Sequence, residues 1–121
     1  MPDLPGTADC PCGGGRYADC CAPYLRREVW PPTAEALMRS RYTAFALGDA
    51  DYLLRTWHPR TRPEELRLDP ELVWLSLQIV AAVGDDVEFI ARYRGPQVRG
   101  FQRERSRFAR HGGRWFYLDG S

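Results

Sequence analysis

A chain of 121 residues, 44% hydrophobic and with a formal charge of +1, fits one compact domain, and so small a net charge argues against generic binding of polyanions. All 17 basic residues are arginine, and neither lysine nor asparagine occurs, which excludes a Schiff-base lysine, a P-loop lysine and a Cys-His-Asn triad. No apolar run approaches the roughly 18 residues of a membrane span, and Met1-Pro2-Asp3-Leu4-Pro5 lacks the basic and apolar regions of a signal peptide, so a cytoplasmic protein is expected.

Residues 1 to 32 are rich in Gly, Pro and Cys and close on Trp30-Pro31-Pro32, a composition that cannot bury an apolar core unaided. All four cysteines lie here as Cys10-x-Cys12-x7-Cys20-Cys21, with Gly13-Gly14-Gly15 after the first pair. Clustered thiols in a reducing compartment read as metal ligands, and two tight pairs joined by a glycine-rich turn suit one tetrahedral zinc ion, closed by four sulfurs and therefore structural. A redox thiol pair and reversible disulfides are the alternatives. Gly13 and Gly14 are expected to aim amide N–H groups at the sulfurs.

From Thr33 the pattern becomes helical: Thr33 caps, Ala34, Leu37, Met38, Ala44 and Phe45 form one face with Arg41 near its centre, and Gly48 terminates. Asp49 or Asp51 caps a second helix running through Trp57 to His58, where Pro59 stops it. A helical turn is expected at Pro63 to Leu66. Four strands then follow, near Leu72 to Val83, Val87 to Arg94, Val98 to Arg110 and Arg114 to Leu118, joined by short turns into an antiparallel meander. The fold class is α+β, with the helices on one curved face of the sheet, and the division falls near residue 30: a knuckle over 1–30 and a body over 31–121.

On the third strand Gln102, Glu104, Ser106 and Phe108 share one face, and Arg99, Phe101, Arg103, Arg105 and Arg107 the other. If Phe108 faces the helices, Glu104 does too, and an ion pair between Arg41 and Glu104 is expected, since an unpaired inward charge is costly. The bland reading is a bracket between helix and sheet; the sharper one is a pocket for a small anionic or polar ligand, with Tyr42, Trp57 and Ser106 beside the pair and His58 as the candidate general acid or base. The outward arginines are either a solvated face or a row that receives phosphates, with Phe101 stacking on a base.

Cys10-Pro11-Cys12-Gly13-Gly14-Gly15-Arg16-Tyr17-Ala18-Asp19-Cys20-Cys21 resembles the SEC-C zinc motif, known from the tail of the SecA translocation ATPase. Together with Leu37-Met38-Arg39-Ser40-Arg41-Tyr42-Thr43-Ala44-Phe45, Thr56-Trp57-His58-Pro59, Glu104-Arg105-Ser106-Arg107-Phe108 and Trp115-Phe116-Tyr117-Leu118-Asp119-Gly120, it makes nearly the whole chain similar to the uncharacterised YchJ family. The resemblance implies an NTF2-like cone behind a SEC-C knuckle that binds zinc. Two departures stand out: the spacer before Cys20 is one residue shorter than usual, and the sequence stops at Ser121 where longer members carry a second knuckle. The function this favours is a non-enzymatic adaptor in which the knuckle, with Arg16 and Tyr17 exposed, docks a protein partner of the translocation or translation machinery. A hydrolase or isomerase using the cavity is the alternative, RNA binding through the strand arginines a further one, and homodimerisation through the sheet is also possible for such a fold.

Overall fold

The computed structural model describes residues 4–5 and 7–121. Residues 1–3 and 6, which belong to the expected knuckle and bear on the signal-peptide reading, lie outside the described residues.

The N-terminal segment contains two short elements absent from the sequence reading, a 3-10 turn at Tyr17–Asp19 and α1 at Ala22–Leu25, with Pro23 in its first turn where a missing N–H does no harm. Helix α2 spans Ala34–Leu47. Thr33 Oγ1 accepts the Ala36 N–H at 3.0 Å, and Gly48 ends the helix at φ +77°, a conformation that costs a side chain about 1 kcal/mol or more. Asp49 caps α3, Ala50–Arg55, by accepting the Tyr52 N–H at 2.9 Å.

Helix α3 is shorter than expected. Thr56, Trp57 and His58 leave it to run along the edge of the last strand: the Tyr117 N–H donates to the Thr56 carbonyl at 2.9 Å and the His58 N–H to the Tyr117 carbonyl at 2.7 Å. Pairing that edge satisfies backbone groups that would otherwise be open to a second chain. The helical turn expected at Pro63 to Leu66 is absent. Leu66 and Leu68 both pack on the core, and residues two apart reach one side only from extended chain.

The four strands are β1 (Val73–Val83), β2 (Asp86–Gly95), β3 (Val98–His111) and β4 (Arg114–Gly120), in the order β1-β2-β3-β4, all antiparallel. Register shifts at Trp74/Ser76, Ile79/Ala81 and Arg107/Phe108 bend β1 and β3, as bulges do. Helix α2 lies against β1, β2 and β4 with α3 beside it. One buried cluster joins Leu37, Met38 and Leu53 of the helices and Val87, Phe89 and Phe108 of the sheet to Cys10, Cys12, Tyr17, Ala22 and Leu25 of the N-terminal segment. No helix among the described residues is long and apolar enough to cross a membrane.

Candidate functional site

Two places concentrate chemistry, and α2 touches both. In the first, the Cys10 N–H donates to the Gly15 carbonyl at 2.7 Å and the Gly13 N–H to the Cys10 carbonyl at 2.9 Å, closing a tight loop that carries Cys10 and Cys12. The 3-10 turn then reverses the chain. Cys20 leaves that turn with φ −122° and ψ −98° while Cys21 is helical, and this break lets two neighbouring side chains reach the same point.

The sulfurs of Cys12 and Cys20 are 3.4 Å apart, those of Cys12 and Cys21 3.7 Å, and those of Cys20 and Cys21 3.9 Å; all four cysteine sulfurs lie within 4.8 Å of one another. The edge of a tetrahedron with metal–sulfur bonds of about 2.3 Å is about 3.8 Å, so the set fits one four-coordinate ion. None of the four is in a disulfide. A Cβ on Gly14 would sit 2.9 Å from the Cys20 sulfur and 3.2 Å from that of Cys12, so the loop closes around the sulfurs only with glycine there.

Electrostatics point the same way. Hydrogen bonds from Cys12 and then Cys21 hold the Cys10 thiol far below its usual value, while burial first, then Cys12 and Cys10, push Cys20 up to about 12 and hydrogen bonds with Cys10 and Cys12 raise Cys21 further. Four thiolates packed this closely repel one another unless a cation lies among them.

The expected amide donors do not reach the sulfurs: the Gly13 N–H is taken by the Cys10 carbonyl, and the Gly14 N–H makes no hydrogen bond to a sulfur among the described residues. Helix α2 supplies the outer contacts instead: Arg39 Nη1 donates to the Cys12 carbonyl at 3.1 Å and lies 3.9 Å from its sulfur, and Thr43 Oγ1 lies 3.6 Å from the Cys10 sulfur. The sequence reading missed both residues. Their signal was available, since Arg39 and Thr43 are four apart and share one helix face. Arg16 is exposed as expected, but Tyr17 is not: it is 1% exposed, packed in the core and beneath the Arg26 guanidinium. An aromatic residue inside so small a segment is its main apolar area, and burial takes it.

The second place is a cavity of about 150 Å³ between α2 and the inner face of the sheet, lined among others by Arg41, Tyr42, Trp57, Glu104, Ser106 and Tyr117. The predicted set thus comes together, with one exception and one correction. His58 is the exception, since it does not line the cavity but meets His111 edge to face, 5.2 Å between ring centroids, near Phe116. Desolvation first, then His111, Arg60 and Arg62, lower its affinity for a proton.

The correction concerns Arg41 and Glu104, which form no ion pair. Arg41 is 4% exposed, and its Nη1 donates to the Leu53 carbonyl at 2.8 Å and to Thr56 Oγ1 at 2.7 Å, while the guanidinium lies 4.5 Å from the Tyr117 ring centroid and 5.1 Å from that of Trp57. The end of α3 and two aromatic faces take the place of the carboxylate. Burial lowers Arg41 to about 10, which leaves it charged at neutral pH. Glu104 instead accepts from Ser106 Oγ at 2.8 Å and Gln102 Nε2 at 3.1 Å. Acceptors around Arg41 and donors around Glu104 therefore hold two opposite charges apart on the walls of one cavity.

On the outer face, Glu88 lies 2.6 Å from Arg103 and 3.4 Å from Arg105, and Arg107 pairs with Asp119 at 2.7 Å. The arginine row is partly neutralised.

Comparison with known proteins fits this geometry. A family model described as the YchJ middle NTF2-like domain matches residues 33–120. The chain belongs to the YchJ family. A UPF0225 protein from Deinococcus radiodurans is 54% identical over 117 residues, covering 95% of this chain and 90% of its own, and one from Streptomyces coelicolor is 50% identical over 122 residues, covering 94% and 95%. The solution structure of a SEC-C motif containing protein from Rhodopseudomonas palustris is 38% identical, with a TM-score of 0.81 over 94% of this chain and 98% of that one. A crystal structure of a SEC-C motif containing protein from Psychrobacter arcticus is 26% identical, with a TM-score of 0.73 over 94% and 82%. The YchJ-family body is thus NTF2-like, and its cysteine cluster is the SEC-C motif.

Proposed function

We propose that this protein is a zinc-stabilised, non-enzymatic binding module whose ligand site is the cavity under α2. Zinc suits four thiolates in a closed tetrahedral set, and such a set leaves no position for substrate or water. The metal braces the N-terminal segment against α2.

The observation that carries the ligand reading is the state of Arg41. Both of its hydrogen bonds leave from Nη1, so Nε and Nη2 have no hydrogen-bond partner among the described residues, and Trp57 on the same wall has a buried indole N–H without one. The Arg41 donors that make no bond to the protein are open to an acceptor in the cavity. Glu104 faces the same space and would repel a simple anion, so the fitting molecule carries a carboxylate for Arg41 and a cationic or donor group for Glu104. A cavity this size holds a ligand about as large as benzene. Both Glu104 oxygens already accept hydrogen bonds, which suits binding better than proton abstraction.

The test is an NMR titration of the zinc-loaded chain that follows the Trp57 and Trp74 indole signals, using γ-aminobutyrate, butyrate and butylamine as probes. The zwitterion is expected to shift both signals at concentrations where the single-charge analogues do not. Equal effects of all three, or none from any, would refute the reading.

A second reading is favoured by the exposure of Gly13, Gly14, Gly15 and Arg16 at the loop tip, which leaves a rigid surface for a protein partner such as a component of the translocation or translation machinery. If Arg16→Glu recovered every partner that the parent chain captures from cell extract, that reading would fail.

A further inference from the structure

On the outer face of the sheet, cross-strand neighbours on β2 and β3 run Glu88 with Arg105, Ile90 with Arg103, Arg92 with Phe101, and Arg94 with Arg99. Acidic partners serve only one end of this face. Glu88 and Asp119 hold Arg103, Arg105 and Arg107, whereas the side chains of Arg92, Arg94 and Arg99, beside the Gly95 turn, make no ion pair or hydrogen bond among the described residues. Arg94 stands directly opposite Arg99, an arrangement that opposes folding because like charges repel across a strand pair. Among them Phe101 is 65% exposed, with Val73 beside Arg94 and also exposed.

Neither solubility nor packing explains a bare aromatic ring inside an unneutralised arginine cluster. A solvated face has no use for Phe101. Two-fold pairing of this end of the face with the same end of a second copy would set the arginines of one chain against those of the other. A strand carrying regular negative charges and flat apolar rings matches both halves of the pattern.

We propose that this end of the sheet is a binding surface for single-stranded nucleic acid, with Arg92, Arg94 and Arg99 taking phosphates and Phe101 stacking on a base. The outward positions 99, 101 and 103 span about 14 Å along β3, enough for a short stretch of chain. The near-neutral total charge does not stand against this, since the positive potential is local and the carboxylates lie at the other end. The surface is on the opposite side of the sheet from the cavity and does not depend on the reading of it.

Fluorescence anisotropy of the full zinc-loaded chain with labelled twelve-nucleotide oligouridylate and oligothymidylate tests the proposal. Three phosphate contacts give a salt slope near −2, so affinity is expected to fall roughly tenfold to twentyfold between about 50 and 200 mM salt. Arg94→Gln with Arg99→Gln should reduce that slope by about 1.4, and Phe101→Ala should weaken binding about fivefold or more without changing it. Arg105→Gln, which alters an arginine already held by Glu88, serves as the control and should have little effect. All the altered side chains are exposed, so unchanged circular dichroism should accompany each variant. Absence of binding at low salt, insensitivity to the Arg94/Arg99 pair, or an equal loss in the Arg105 control would overturn the proposal; preference between the RNA and DNA probes only sharpens it.

Discussion

Gly14 shows how far a single missing methyl group reaches. Its Cβ would approach two cysteine sulfurs, whereas one on Gly13, at φ +81°, would meet nothing within 4 Å and cost only backbone strain. Gly14→Ala is therefore expected to weaken zinc binding more than tenfold and Gly13→Ala to leave it within a few-fold, measured by competition with a chromophoric chelator. Equal losses would mean that the loop conformation matters and the space around the sulfurs does not. Thr56, which holds Arg41 from behind the cavity wall, is the corresponding residue at the second place. Fully buried, it donates to the Tyr52 carbonyl at 2.9 Å and accepts from Arg41, so Thr56→Val removes a partner from a buried cation and should destabilise the fold by about 1–3 kcal/mol in a denaturant titration. The sequence placed Arg41 inside correctly, because its helix face is otherwise apolar. It could not reveal the partner: periodicity identifies a side chain's direction, whereas the Leu53 carbonyl became available only because α3 ends early and lies across Arg41.

The same distinction applies to elements. Caps and strand alternation are local signals, and they located α2 between Thr33 and Gly48 and all four strands to within a few residues. Segments decided by distant contacts were read less well. Thr56 to His58 looked helical from its neighbours but is drawn out by the open edge of β4, and the stretch after Pro63 is extended because Leu66 and Leu68 both seek the core. Asp49 is a local signal with a wider consequence, since the helix it caps carries Leu53 and leads into Thr56, the two groups that hold Arg41. Asp49→Ala should thus cost about 1–2 kcal/mol by the same titration, the upper range of a cap, because the carboxylate is buried. A loss near zero would show that α3 is held by packing alone.

For the whole molecule, the cysteine spacing made the sulfur cluster legible, and the strand pattern made the sheet so. What spacing could not convey is how closely the two are joined: Cys10, Cys12 and Tyr17 belong to the core that includes Leu37 and Phe89, and Arg39 and Thr43 of α2 reach the sulfurs. Chelation should consequently lower the Tm of the entire chain by more than about 10 °C in a single transition, with no independently melting body. Two separate transitions would mean that knuckle and body fold apart. The most direct examination of the account is the metal itself. X-ray absorption at the zinc edge, with metal analysis of the purified chain, is expected to give one zinc per chain surrounded by four sulfurs at about 2.3 Å. A shell containing nitrogen or oxygen, or a folded chain that carries no zinc and whose thiols react freely, would contradict it.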